Sequence, residues 1–236
     1  MDNSDFLKCI ARSFRRFVET TSRSNEKLKV LHGEIAADFS AQLGSDYTVS
    51  SLGFGDGKEG KIAGRYINKN VDITIYDKEN KAIAGIGVKF VMQNYSQNSN
   101  NYFENMLGET ANIRSANIPY FQIFIIPDKI PYYKKSGTLE HWETFSEHNA
   151  EKYFTLSKDN IETFLHTPTK TLLYVVKLPE AKPEPQTQPE YNAHYKGLSS
   201  IEISETKQTY STFGGAIILN DYETFLQKVI HYIKSI

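Results

Sequence analysis

Two β-patterned runs joined by a polar turn constrain this chain more than any other feature. Residues 71–76 (VDITIY) alternate apolar and polar side chains as a strand does, and residues 81–91 (KAIAGIGVKFV) form a second, longer run. Between them Asp77, Lys78, Glu79 and Asn80 supply turn chemistry. Side chains alternate faces along a strand. Val71, Ile73 and Ile75 therefore share one face of the first run, and Asp72, Thr74 and Tyr76 the other. In the second run Ile86, Val88 and Phe90 lie opposite Gly85, Gly87 and Lys89. If the turn is residues 77–80, Tyr76 pairs with Lys81, and Asp72 faces Gly85 on the same side as Lys89. A one-residue change of loop length would reverse that relation. An Asp within an apolar strand is expensive to bury unless it is paired or bound to metal. A plain Asp72–Lys89 ion pair at a sheet edge would meet the same requirement.

The flanking pattern predicts helices over 3–20 (Phe6, Ile10, Phe14, Phe17 and Val18 at helical spacing) and 26–43, separated by a polar stretch at 20–25. Glu34 lies beside the apolar face of the second helix. A strand at 47–52, a Gly-rich segment at 53–60, the hairpin, a polar segment at 93–101, a helix at 102–114 and a buried strand at 120–126 follow. Beyond them the pattern predicts short helices at 141–150 and 158–165, a strand at 171–178, a strand at 215–219 and a helix at 221–233. Residues 179–190 hold four prolines and three glutamates, which mark a loop or linker. The chain divides into a core (1–178), that segment, and a C-terminal strand-helix piece packing on the core (191–236). The central order is helix, strand, strand, strand, helix, strand. Because two strands form a hairpin, the sheet is mixed and the class is α/β (α+β).

With 236 residues, 39% hydrophobic and 13% aromatic, the chain can build one sizeable core and is not disordered. A single cysteine, Cys9, excludes an intrachain disulfide, and neither it nor the six histidines show metal-site spacing. No run reaches membrane length and the first residues carry no signal pattern, so no membrane association and a cytoplasmic location are expected. Gly53-x-Gly55 leads into a basic loop and a strand rather than a helix, and no GK[ST] follows. No nucleotide cofactor is expected. A net charge of −1 neither requires nor excludes nucleic acid. Lys58, Lys61, Arg65 and Lys69 nevertheless gather ahead of the first hairpin strand.

The segment from Glu34 to Ile126 resembles the core of the PD-(D/E)xK nuclease superfamily, which includes many type II restriction endonucleases. A helix bearing Glu34, the run GRYINKNVDI with Asp72, and Gly87-Val88-Lys89 in the place of (D/E)xK carry the resemblance over about 90 residues. It implies a restriction-endonuclease-like core. It also implies a Mg²⁺-dependent endonuclease acting on duplex DNA, sequence-specific and part of a restriction-modification system, and working as a homodimer. Val71 replaces the family's Pro, and Gly87 replaces its acid. Some relatives supply that acid from the next helix. Glu104, fifteen positions after Lys89, suits that spacing best, with Glu109 the alternative. Asp72 and one of these glutamates would hold Mg²⁺, Lys89 would orient the attacking water, and Glu34 would complete the shell. Lys61, Arg65, Lys69, Gln93, Asn94, Tyr95, Gln97 and Asn98 are the expected DNA contacts; the polar segment also reads as a plain loop. A repair or junction-resolving nuclease on the same core, and a DNA-binding module without catalysis, are the alternative readings.

Overall fold

The computed structural model describes residues 1–20 and 24–236, so part of the polar stretch at 20–25 lies outside the described residues. Two helices come first, α1 (Asn3–Glu19) and α2 (Glu26–Leu43), followed by β1 (Thr48–Ser51). A small hairpin, β2 (Gly60–Ala63) and β3 (Asn68–Val71), precedes the main hairpin, β4 (Ile73–Tyr76) and β5 (Ala82–Phe90). Next come α3 (Tyr95–Arg114), β6 (Tyr120–Pro127), β7 (Lys129–Tyr133), β8 (Leu139–Thr144) and α4 (Glu147–Ser157). The chain closes with β9 (Lys170–Lys177), α5 (Gln188–Gly197), β10 (Ser204–Glu205), β11 (Ile217–Leu219) and α6 (Tyr222–Lys234).

Seven strands form a mixed sheet, β1-β4-β5-β6-β9-β10, with β11 also on β9. The β1–β4–β5 half is antiparallel and β5–β6–β9 parallel, as a hairpin followed by a helical crossover demands. One sheet face, with Ile73, Ile75, Ile86, Val88, Phe121 and Ile123, packs on α1, α2 and α6. The other, with Phe124, Ile126, Leu173 and Val175, packs on α3 and α4. The α/β class with a mixed sheet flanked by helices is thus as expected.

Several local expectations differ. Residues 141–144 lie in β8, and α4 begins only at Glu147; residues 158–165 hold turns rather than a helix. The third helix starts at Tyr95, seven residues before the predicted start at 102. Glu143 of β8 accepts hydrogen bonds from the backbone N–H groups of Tyr95 (2.8 Å) and Ser96 (3.0 Å). A carboxylate there satisfies orphan donors and opposes the positive end of the helix dipole. Because that cap comes from 48 residues away, the local sequence does not reveal it. The expected loop at 179–190 is shorter: residues 179–187 form a loop pinned to β8 by Leu139 N–H donating to the Gln186 carbonyl (2.8 Å), and 188–190 open α5, capped by Thr187.

Candidate functional site

Asp72 sits where one long strand bends. β3 and β4 are consecutive except for this residue, and at Asp72 the chain passes from the small hairpin into the main sheet. The observed pairing is Ile73 with Ile86, Thr74 with Gly85 and Ile75 with Ala84, followed, across a bulge, by Tyr76 with Ala82. This differs from the predicted register by two residues: one in the turn and one in the bulge at Ile83. An even shift preserves the faces. Continued by one residue, it sets Asp72 opposite Gly87 rather than Gly85. The Asp72 carboxylate then takes the place of a main-chain acceptor: Val88 N–H donates to its Oδ2 at 2.7 Å. The carboxylate is thereby fastened to the residue immediately before Lys89, and its side chain remains 25% exposed.

Gly87 has a steric cause. In the parallel register it lies beside Gln122. A Cβ there would collide with the Tyr120 hydroxyl and come within 2.9 Å of Gln122 Oε1. Position 87 therefore cannot carry the acid of (D/E)xK without moving β6 side chains. The Tyr120 hydroxyl that fills the space donates to Glu109 Oε2 at 3.2 Å, and Glu109 pairs with Lys69 at 2.7 Å. Burial raises the Tyr120 hydroxyl well above its ordinary pKa, and the charges of Glu109 and then Asp72 add to that. Both carboxylates therefore act on this one phenol.

Two further groups complete the site. Glu59, in the loop before β2, is pushed above the usual carboxylate range by burial and then by the charge of Asp72; Lys69 and Lys89 oppose the shift. His32 on α2 is fully buried, with Nδ1 4.0 Å from Asp72 Oδ1 and neither ring nitrogen hydrogen-bonded among the described residues. Burial lowers its pKa, Asp72 opposes that, and Lys89 adds to it. Asp72, Lys89, Glu59, His32, Tyr120, Glu109 and Lys69 thus form one electrostatic neighbourhood at the bend.

The remaining expected residues lie elsewhere or differently. Glu34 is engaged by Arg12 of α1 through both carboxylate oxygens, including Nε–Oε1 at 2.8 Å, so α2 brings His32 and not Glu34 to Asp72. Glu104 is exposed on α3 and feels Lys152 of α4, on a different side of the helix from Glu109. Five residues separate the two, and at 3.6 residues per turn that sets them on different sides of the helix; α3 turns the Glu109 side toward Tyr120 and Lys69. Tyr95 is 2% exposed, packed on Phe124 and Phe145, and cannot reach a nucleic acid. Asn94 is committed to both backbone groups of Tyr133, at 2.9 and 3.1 Å. Gln93 accepts from Gln188 at 2.9 Å. With Gln97 and Asn98 they border a recess of about 260 Å³ beside Phe90. Lys61 and Arg65 are exposed on the small hairpin.

Glu59 and His32 each left a signal in the sequence. Glu59 is an acid inside a basic loop. His32 falls on the apolar stripe Leu28, Ile35, Phe39, where a polar ring is out of place. Tyr120 had none, since its role exists only once β6 lies beside Gly87.

Among the described residues no group of three or more His, Cys, Asp and Glu side chains is close enough to hold a metal ion, and no helix is long and apolar enough to cross a membrane. No family model matches the chain, and neither a curated protein nor a solved structure matches it.

Proposed function

We propose that this protein is a metal-dependent endonuclease of duplex DNA, with Asp72 and Lys89 as its central pair. One observation supports the reading: the Asp72 carboxylate is tied through Oδ2 to the N–H of Val88, the residue immediately before Lys89. The fit to a hard divalent cation such as Mg²⁺ rests on donor chemistry. The charge of Asp72 raises the cost of ionising Glu59, an arrangement a cation would relieve, and the two carboxylates offer it oxygen donors. Magnesium commonly takes one or two carboxylates and completes its shell with water and phosphate, so a three-residue cage is not required. Asp72 and Glu59 would hold the ion, with Glu109 on the Tyr120 side. When bound, it would polarise the scissile phosphate and acidify a water.

Lys89 orients the attacking water and offsets charge that develops on the phosphate oxygens. Tyr120 and Lys69 hold Glu109 in place. His32, neutral by burial, packs behind Asp72 and limits its rotation. Cutting both strands needs two such sites, which a homodimer supplies.

The test is incubation of varied plasmid and phage DNAs with the protein and Mg²⁺, with an EDTA control. Cleavage that EDTA stops, and that falls about 10²-fold or more in Asp72→Asn and in Lys89→Ala with folding intact, is the expected result. The missing three-residue metal group favours one other reading, a DNA-binding module without catalysis. Binding without cleavage of any DNA would establish that instead. Discrete fragments would indicate a restriction enzyme, and preference for branched or damaged DNA a repair role.

A further inference from the structure

The small hairpin ends in a tip that folding alone does not explain. Tyr66 is 76% exposed and Ile67 63%; among the described large hydrophobic residues Tyr66 is the most exposed. A flexible loop could show such side chains casually, but this tip is clamped. Asn112 of α3 accepts from the N–H groups of Tyr66 (2.9 Å) and Ile67 (3.2 Å) and donates to the Ile67 carbonyl (2.9 Å). Arg65 N–H donates to the Asn112 carbonyl at 2.8 Å, and Gly64 N–H to the Ile67 carbonyl at 3.2 Å. The base of the hairpin is seated as well: Ile62 and Val71 pack with Ile113 and Tyr120. The Glu109–Lys69 pair, one turn from Asn112, holds the second arm. A rigid arm thus presents two apolar side chains to solvent.

Charge on the arm selects the partner. From Gly60 to Val71 there are three cations, Lys61, Arg65 and Lys69, and no carboxylate. Lys61 and Arg65 are exposed, and the Arg65 guanidinium lies 5.8 Å from the Tyr66 ring centre. An apolar tip set among cations suits a polyanion with stacked planar groups at its centre, which is duplex DNA; a second copy of a nearly neutral chain offers no such match. We propose that Tyr66 and Ile67 form a wedge that enters a base step of the duplex while Lys61 and Arg65 hold the flanking phosphates. This rests on the nuclease reading for its partner. Five residue steps along β3 separate Ile67 from Asp72, a reach of about 16 Å. That is roughly five base steps at about 3.4 Å each, so the wedge would kink the duplex within that distance of the scissile phosphate.

The experiment places an indole at the tip, Tyr66→Trp with Trp142→Phe, and adds a mixed-sequence duplex, end-labelled for anisotropy, in EDTA so that no strand is cut. Expected is binding accompanied by quenching of the introduced indole as it stacks on bases. Tyr66→Ser with Ile67→Ser should weaken duplex binding about tenfold at unchanged melting temperature. Lys61→Ala with Arg65→Ala should reduce the salt dependence of binding by about two phosphate contacts. Three results overturn the wedge: duplex binding without quenching, no duplex binding by the unaltered protein at low salt, or a blue shift of the indole with rising protein concentration and no DNA. The last would assign the tip to self-association. Cleavage in Mg²⁺ is read separately. A protein that cuts without quenching loses the wedge alone, and one that quenches without cutting loses the nuclease alone.

Discussion

At Gly87 a missing side chain organises a site. The Tyr120 hydroxyl occupies the volume that a Cβ would need, and it passes a hydrogen bond on to Glu109. Gly87→Asp, the change that would restore the family tripeptide, should therefore destabilise the protein by about 1–3 kcal/mol. Adding Tyr120→Phe should recover part of that loss, as a double-mutant cycle in urea can measure. His32 makes a second residue-scale prediction. Its folded pKa is lowered, so the fold binds the neutral ring and the unfolded chain takes up the proton first. Its contribution to stability is whole above its unfolded pKa of about 6.5 and is lost as pH falls below that value toward the folded one. Glu59 has the opposite sign: its folded pKa is raised, so stability present below its unfolded value of about 4.5 is lost as pH rises through the folded value. In EDTA, the urea midpoint should fall on acidification below about 6.5, and His32→Met should flatten that slope. Glu59→Gln should raise the midpoint at neutral pH but not in acid. An unchanged slope in His32→Met would remove His32 as the cause.

At the scale of elements, α3 matters most. It carries Glu109 toward the bend and Asn112 under the hairpin tip, three residues apart and so on one face. Asn112→Ala removes the partner of three tip backbone groups. It should accelerate amide exchange at Tyr66 and Ile67 while lowering global stability by only about 1–2 kcal/mol. Equal slowing or speeding of exchange across the whole sheet would contradict a local clamp. The three candidate glutamates separate by element too. Glu34 belongs to the α1–α2 contact, so Glu34→Gln should leave cleavage intact and cost under about 1 kcal/mol. Glu104→Gln should have no effect on cleavage, whereas Glu109→Gln should lower it. Loss of cleavage in Glu104→Gln with Glu109→Gln active would invert the assignment.

For the whole molecule, the C-terminal piece is inseparable from the core. Tyr222, Phe225, Leu226, Val229, Ile230 and Ile233 of α6 are all buried in the cluster that holds α1, α2 and the sheet. At roughly 1.5–3 kcal/mol each, their burial rivals the entire net stability of a domain, about 5–15 kcal/mol. A chain ended after residue 200 should lose its cooperative unfolding transition. A sharp transition from that fragment would show that residues 1–178 fold alone.

The sequence by itself determined α1, α2, the main hairpin, β6, β9 and α6, but not the small hairpins β2–β3 and β7–β8 or helix α5; the expected shared face of Asp72 and Lys89 follows from strand period, which a register shift of two leaves unchanged. The α2 helix was legible to its ends, Glu26 and Leu43, since its apolar stripe is local. Only the tertiary structure decided which residues surround the pair. Glu34 was claimed by Arg12, and the packing of α3 turned Glu109 toward Tyr120 and Lys69 and Glu104 toward Lys152 of α4. Glu59 and His32 reached Asp72 through loop and helix packing. Such choices turn on distances between segments far apart in the chain, and neither hydrophobic period nor spacing encodes them.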